Sequence, residues 1–291
     1  MTTVVETIPR SPHPGIAART WRFAKRHALT VYAVAAAAYL ILPVAVVILF
    51  SFNAPKSNFN YVWQGFTLDN WIHWDAIIGI RESVVTSLEI GLLATIVATA
   101  LGTLIALAIV RHRFRGRGST NLLVFLPMST PEIVLGASLL TLFLNTSAVF
   151  QLGFVTIFIA HVMFIVSFVV VTVKARLIGF DRHLEEAAMD LGANEIVTFR
   201  KVTFPLIAPA MLAAALLGFA LSIDDFVITF FNAGSQTQTF PIFVWTTAQR
   251  GLPPQINVVA SAIFIVAIVF ALGNVLWQYR SAKRSRTQGA V

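Results

Sequence analysis

Of four carboxylates in apolar stretches long enough to cross a membrane, where an ionised side chain costs roughly 2.5–3.5 kcal/mol at the bilayer centre, three are candidates for chemistry. They are Asp224, Asp225 and Glu132. Asp224 and Asp225 lie 17 and 18 residues past Ile207, ~26 Å along a ~30 Å hydrocarbon core, which places them near the outer end of their span. Two adjacent carboxylates there could attract an organic polycation, whose ammonium groups need compensation on leaving water. Equally, the pair could be interfacial or hydrogen-bonded to neighbouring helices. Glu132 closes the run Ser129-Thr130-Pro131-Glu132, which also reads as a capping box with proline in the first turn. A broken helix restarting there accounts for all four residues and ranks slightly above a substrate contact. Glu89, in the outer third of another apolar run, is given no role.

Other chemistry is poorly represented. The chain has no cysteine, which excludes disulfides and thiolate metal sites. Its six histidines read as scattered through loops and span ends, with no recognisable metal-ligand pair. No nucleophile–base arrangement, cofactor fingerprint or phosphate-binding Gly-x-x-x-x-Gly-Lys-Ser/Thr loop is present, so a membrane enzyme is disfavoured and no cofactor is expected in this chain.

The elements that must hold these residues follow from composition. A chain of 291 residues that is 57% hydrophobic and 12% charged cannot hide so much apolar surface in one water-soluble core. Apolar runs near or above the roughly 20 residues needed to span a bilayer fall at about Ala28–Phe50, Val84–Val110, Asn121–Leu144, Gly153–Val173, Ile207–Phe231 and Val258–Trp277. The expected fold class is an all-α membrane protein with six transmembrane helices. Arg10, Arg19, Arg22, Lys25 and Arg26 precede the first run, and no small-residue cleavage site follows a short apolar stretch, which argues against a removed signal peptide.

A formal net charge of +8 is compatible with nucleic acid, but the placement of the charge speaks for a membrane and no nucleic-acid partner. With a cytoplasmic amino terminus, 18 of the 21 Lys and Arg residues fall on inner segments; Lys56, Arg81 and Arg250 are the others. The asymmetry repeats on all four inner segments, as the positive-inside rule requires. Trp63, Trp71, Trp74 and Trp245 then lie near the outer face and Trp21 and Trp277 near the inner one, as in an interfacial belt. Both termini are expected in the cytoplasm. Residues 1–27 would form an amino-terminal segment, 28–279 the transmembrane domain and 280–291 a tail.

Of the connections, the outer loop from Asn53 to Arg81 is the longest outside, while that around Asn145–Gln151 is short, which makes the third and fourth spans antiparallel neighbours. The inner segment 174–205 is longer than a connector requires. Phe180, Leu184, Ala187, Ala188 and Leu191 recur at the spacing of one helical face, with Arg182, Glu185, Glu186 and Asp190 on the other. Gly192 offers a helix stop, and a second short amphipathic stretch ends at Pro205.

That segment carries a family resemblance. Glu186-Ala187-Ala188, Gly192 and Val202-Thr203-Phe204-Pro205 resemble the Glu-Ala-Ala, three residues, Gly, nine residues, Ile-x-Leu-Pro signature of permease subunits of type I ABC importers, with Val for Ile and Phe for Leu. Similarity to the spermidine/putrescine branch extends over most of the chain: Trp63-Gln64-Gly65-Phe66-Thr67, Arg113-Phe114-Arg115-Gly116, Val169-Val170-Val171-Thr172-Val173, Gly179-Phe180-Asp181 and Ser222-Ile223-Asp224-Asp225. Pro254-Gln255-Ile256-Asn257 departs from a Pro-Glu-Val-Asn pattern by losing one acid.

The resemblance implies a type I ABC importer permease (MetI-like) fold. It also implies an ATPase-coupling role for Glu186, Ala187, Ala188, Gly192 and Pro205, with Glu186 in polar contact with the ATPase. The implied partners are a second permease in a heterodimer, two ATP-binding subunits that hold ATP and Mg, and an extracytoplasmic substrate-binding protein. Small residues at Ala187 and Ala188 suit close approach to a partner groove, and Gly192 a sharp turn. An ordinary interfacial helix on the inner leaflet is the bland alternative, weakened by the acidic face. A channel or secondary transporter would lack the spaced docking motif.

Overall fold

The computed structural model describes residues 16–57, 59–147 and 149–288. In chain order the helices are α1 (Ile16–Phe50), α2 (Asp69–Ile72), α3 (Ile80–Arg111), α4 (Arg117–Ser129), α5 (Glu132–Asn145), α6 (Phe154–Ile178), α7 (His183–Asp190) and α8 (Glu195–Thr198). A π-turn (Phe199–Thr203) joins α8 to α9 (Phe204–Asp224), and α10 (Val227–Asn232), α11 (Phe240–Ala248) and α12 (Pro254–Gln288) follow. There is no strand among the described residues, as the apolar runs predict.

Four helical segments are long and apolar enough to cross a membrane: His27–Phe50, Ile80–Arg111, Phe154–Ile178 and Glu195–Asp224. The expected third span, Asn121–Leu144, is not one straight helix. α4 and α5 meet at a bend of 109°, so together they make at most one broken span. The break is where it was expected, but the expected capping box does not form. Ser129 Oγ bonds back to the carbonyls of Phe125 and Leu126, and Thr130 Oγ1 to Leu126 O at 2.7 Å. These hydroxyls finish α4 rather than start α5, and Pro131 is the N-cap of α5 with no side-chain cap. The expected sixth span, Val258–Trp277, lies within α12, of which Pro254–Phe270 is apolar helix.

The expected fifth span, Ile207–Phe231, is also interrupted. α9 stops at Asp224 and the chain restarts as α10 at Val227. At its other end α9 begins earlier than Ile207, because helix runs from Glu195 through Pro205 to Asp224. Pro205 therefore does not end the inner amphipathic stretch. Lacking an N–H, proline cannot hydrogen-bond to Lys201, and the helix accommodates it by widening just upstream, where Phe204 N–H reaches back five residues to Phe199 O.

The described residues divide into two compact units, 16–74 with 253–288, and 75–252. In the first, α1 and α12 are joined by packing, and the loop after α1 is held by asparagines. Asn53 donates to Asn60 Oδ1 (2.7 Å) and Val62 O (2.8 Å), and accepts from Gln64 N (2.7 Å). Asn70 ties the carbonyls of Ser51 and Asn53, and Phe52 stacks between Phe66 and Trp71. Buried amides here do what a strand ladder would otherwise do for exposed backbone. Apolar residues of α1 such as Leu29, Tyr32 and Tyr39 are largely exposed, as expected of a lipid-facing helix.

The second unit is built on α3, α6 and α9. Ala94, Ala98, Ala106 and Ile109 of α3 pack with Ile165, Val169, Val170 and Val173 of α6 and with Ile207 and Ala214 of α9. Helices in lipid gain little from hydrophobicity alone, so close van der Waals fit between small residues matters most. A Cβ on Gly218 would come within 2.4 Å of Ile165 Cγ2. A second cluster joins α5 (Leu135, Leu139, Phe143) to α6 (Ala160, Phe164) and α10 (Ile228).

Candidate coupling and translocation sites

α7 carries the Glu-Ala-Ala sequence, but it is shorter than the expected face: Phe180 lies ahead of the helix, which starts at His183. The stop at Gly192 forms as the sequence predicts. Gly192 has φ 87, its N–H donates to Met189 O (2.8 Å), and Ala193 N–H donates to Ala188 O (3.1 Å). This pair of bonds satisfies carbonyls that the ended helix leaves over, and the left-handed residue between them is best supplied by glycine. Asn194 then caps α8 by accepting from Val197 N–H (2.9 Å).

Two neighbouring acids on α7 take opposite roles. The Glu186 side chain is 60% exposed and meets only His183, one turn back, at 3.1 Å. The Glu185 side chain is 15% exposed and points inward. Both its oxygens face the Arg111 guanidinium at the end of α3, Nη2 to Oε1 at 2.5 Å, and Thr203 Oγ1 also donates to Oε1. Ala187 is exposed, Ala188 half-buried, and Pro205 exposed on α9. Glu185 and Arg111 were missed as a site by sequence reading. The expected division of faces does not hold: Glu185 and Ala188, three residues apart, share the inward side, while Leu184, Ala187 and Leu191 are exposed.

At the outer pair the two carboxylates separate. Asp224, the last residue of α9, is exposed. The Asp225 side chain is buried and turns back on α10, accepting from Ile228 N (3.3 Å), Thr229 N (2.8 Å) and Thr229 Oγ1 (2.7 Å). It therefore caps the first turn of α10, where free N–H groups and the helix dipole both favour an anion. Its Oδ2 also lies 3.3 Å from His161 Nε2.

His161 corrects the expectation that the histidines sit in loops and span ends. It stands inside α6 and is buried, with Nδ1 2.7 Å from Ser222 Oγ and Nε2 2.9 Å from Thr229 Oγ1. The Thr229 hydroxyl has one proton and gives it to Asp225, so it accepts from Nε2–H. One polar cluster thus ties α6, α9 and α10 at the break. The signal available in the sequence was an ionisable side chain in mid-span.

Glu132 opens α5 at an exposed position, with no hydrogen-bond partner among the described residues. One turn on, Gly136 of α5 lies against Ile228 and Phe231 of α10, so the two helix breaks are neighbours. In transporters, discontinuous helices with free termini are the places where charged groups are met inside a membrane.

The family comparison decides what this arrangement belongs to. Residues 98–286, more than half of the chain, match the model of the family described as binding-protein-dependent transport system inner membrane component. The chain is a permease of this family. Among relatives, it is 35% identical over 256 residues to the spermidine/putrescine transport system permease protein PotC of Escherichia coli strain K12, covering 87% of this chain and 92% of that one. It is 36% identical over 248 residues to the putrescine transport system permease protein PotI of the same strain, covering 82% and 85%. Among solved structures, the permease resembles a chain of a bacterial ABC transporter that imports the acidic polysaccharide alginate, with TM-score 0.64, 15% identity and coverage of 90% and 99%. A chain of the MetNI methionine ABC transporter in an inward-facing conformation gives TM-score 0.55, 16% identity and coverage of 71% and 97%. At these identities the two structures speak for the fold alone: a multi-pass, type I ABC importer permease.

Proposed function

We propose that this permease forms half of the translocation pathway of an ATP-driven importer of polyamines, spermidine or putrescine. What carries the reading is the extent of similarity to the polyamine permeases, 87% of this chain and 92% of the relative. The chain itself is non-catalytic. It crosses a bacterial inner membrane six times with both termini in the cytoplasm, the broken α4–α5 pair and α12 supplying the third and sixth crossings. A related permease pairs with it, two ATP-binding subunits hold ATP and Mg, and an extracytoplasmic binding protein delivers the solute.

The segment 174–205 is the coupling loop. Glu186 is exposed on α7 and meets the ATPase, Ala187 and Ala188 allow close approach, Gly192 turns the chain after α7, and Pro205 lies in the helix that carries the loop into α9. For the pathway, Asp224 offers an exposed carboxylate to the passing ammonium groups, with Glu132 beside the neighbouring break. Asp225 holds the break in shape. The test is uptake of labelled spermidine and putrescine into proteoliposomes containing the full set of subunits, with and without ATP and binding protein. Uptake is expected only with both, and Glu186→Ala or Gly192→Val is expected to reduce it at least tenfold without loss of inserted protein. Uptake driven by an ion gradient, or unchanged uptake in the variants, overturns the reading. Uptake of another small organic cation in place of the polyamines would move the cargo and keep the mechanism.

A further inference from the structure

α7 is poorly held by its own resources. Eight residues are too few for a stable isolated helix, and six of the eight are exposed, only Glu185 and Ala188 being partly buried. Apolar packing therefore cannot fix it. Its ties to the rest of the unit are polar and converge on one place, the cytoplasm-side end of α3. Arg111 is the last residue of α3, where a cation suits the helix dipole. Its guanidinium forks onto Glu185 and lies 5.3 Å over the ring of Phe180, just ahead of α7. Arg182, also just ahead, donates to Val110 O at 3.1 Å, one of the carbonyls that the end of α3 leaves unpaired. The third donor to Glu185, Thr203, belongs to the π-turn that leads into α9.

We propose that Glu185 is the positioning residue that makes α7 move as one body with α3 and α9. The proposal rests on α7 being the ATPase-docking helix. Glu186 then receives the displacement at the surface and Glu185 passes it inward, because a planar bidentate pair resists both sliding and rotation in a way a single contact does not. From Arg111, α3 runs ~30 Å to Gly91, which packs against Phe219 and Ile223 of α9, directly beside Asp224. A pull at α7 thus reaches the break in α9 along two routes, the length of α3 and the length of α9 itself.

The experiment uses the assembled importer in proteoliposomes and reads solute imported per ATP hydrolysed, together with cross-linking of Ala187→Cys to the ATPase subunit. Glu185→Gln is expected to lower the ratio at least fivefold while cross-linking and ATP hydrolysis stay within twofold. Arg111→Lys, which keeps the charge but loses the fork, is expected to fall between the wild type and Glu185→Gln. Glu185→Gln with Arg111→Gln is expected to be no worse than the worse single variant, as residues acting through one contact require. If Glu185→Gln does not assemble, Arg111→Lys carries the same comparison. A wild-type ratio in either assembled single variant, with cross-linking intact, overturns the brace. Absence of the cross-link in the importer that carries Ala187→Cys with Glu185 and Arg111 intact would instead overturn the docking role of α7.

Discussion

Asp225 and Asp224 are adjacent in sequence and alike in chemistry, yet one is spent on the fold and the other is left open. Asp225 accepts three hydrogen bonds from α10 and faces a buried histidine, so its carboxylate has little capacity left for a passing cation. Asp224 is exposed. Asp225→Asn is accordingly expected to destabilise the purified permease by about 3 kcal/mol, the scale for a buried charge-assisted network losing its anion. Asp224→Asn should change stability by less than about 0.5 kcal/mol and lower polyamine uptake. Thermal melts and initial uptake rates of the two variants separate these roles; equal melts would show that the pair is not divided. Sequence spacing could locate the pair but could not divide it. Which carboxylate turns inward depends on where α9 stops, and that is settled by His161, 64 residues away in the chain.

At the level of elements, the apolar runs were the most legible feature and their interruptions the least. Length and hydropathy suffice to find α3, α6 and α9 because lipid leaves the backbone no alternative to helix. They give neither the 109° angle of the bend between α4 and α5 nor the stop at Asp224, although Ser129-Thr130-Pro131-Glu132 marks the place of the first break. The glycine signal at Gly192 was readable because its consequence is local. The close approach at Gly218 was not, because its reason is Ile165 on another helix. Gly218→Ala is expected to destabilise by about 2 kcal/mol, the usual scale for overpacking, since its Cβ would meet Ile165 Cγ2 at 2.4 Å. Combining it with Ile165→Ala should return part of the loss in the same thermal melt. An unchanged melt for Gly218→Ala would mean that α6 and α9 are less tightly apposed than described.

For the molecule as a whole, the family and the helical class were legible from the chain, and so was the position of the motif in the proposed coupling loop. The division of labour inside that loop was not. Glu185 and Glu186 share a sequence position to within one residue, and the end of α3 makes them differ, one held inward by Arg111 and one exposed beside His183. On the proposed reading a single salt bridge mounts an eight-residue helix, and the mounting decides which long helices move with it.

The exposure of that mounted helix has a cellular consequence. Leu191 is 90% and Ile196 77% exposed, flanking Gly192 at the turn where the partner ATPase would sit. An orphan subunit, made in excess of its ATPase, would display this oily corner to chaperones and proteases, which bind such surfaces in unassembled chains. In cells lacking the ATPase subunit, pulse-chase labelling is expected to give a half-life at least twofold shorter than in cells that make it. Leu191→Ser with Ile196→Ser should lengthen the orphan's survival, while a half-life indifferent to the ATPase would remove the turn as the signal. The surface that transmits work in the finished importer would thus also report, before assembly, that a partner is missing.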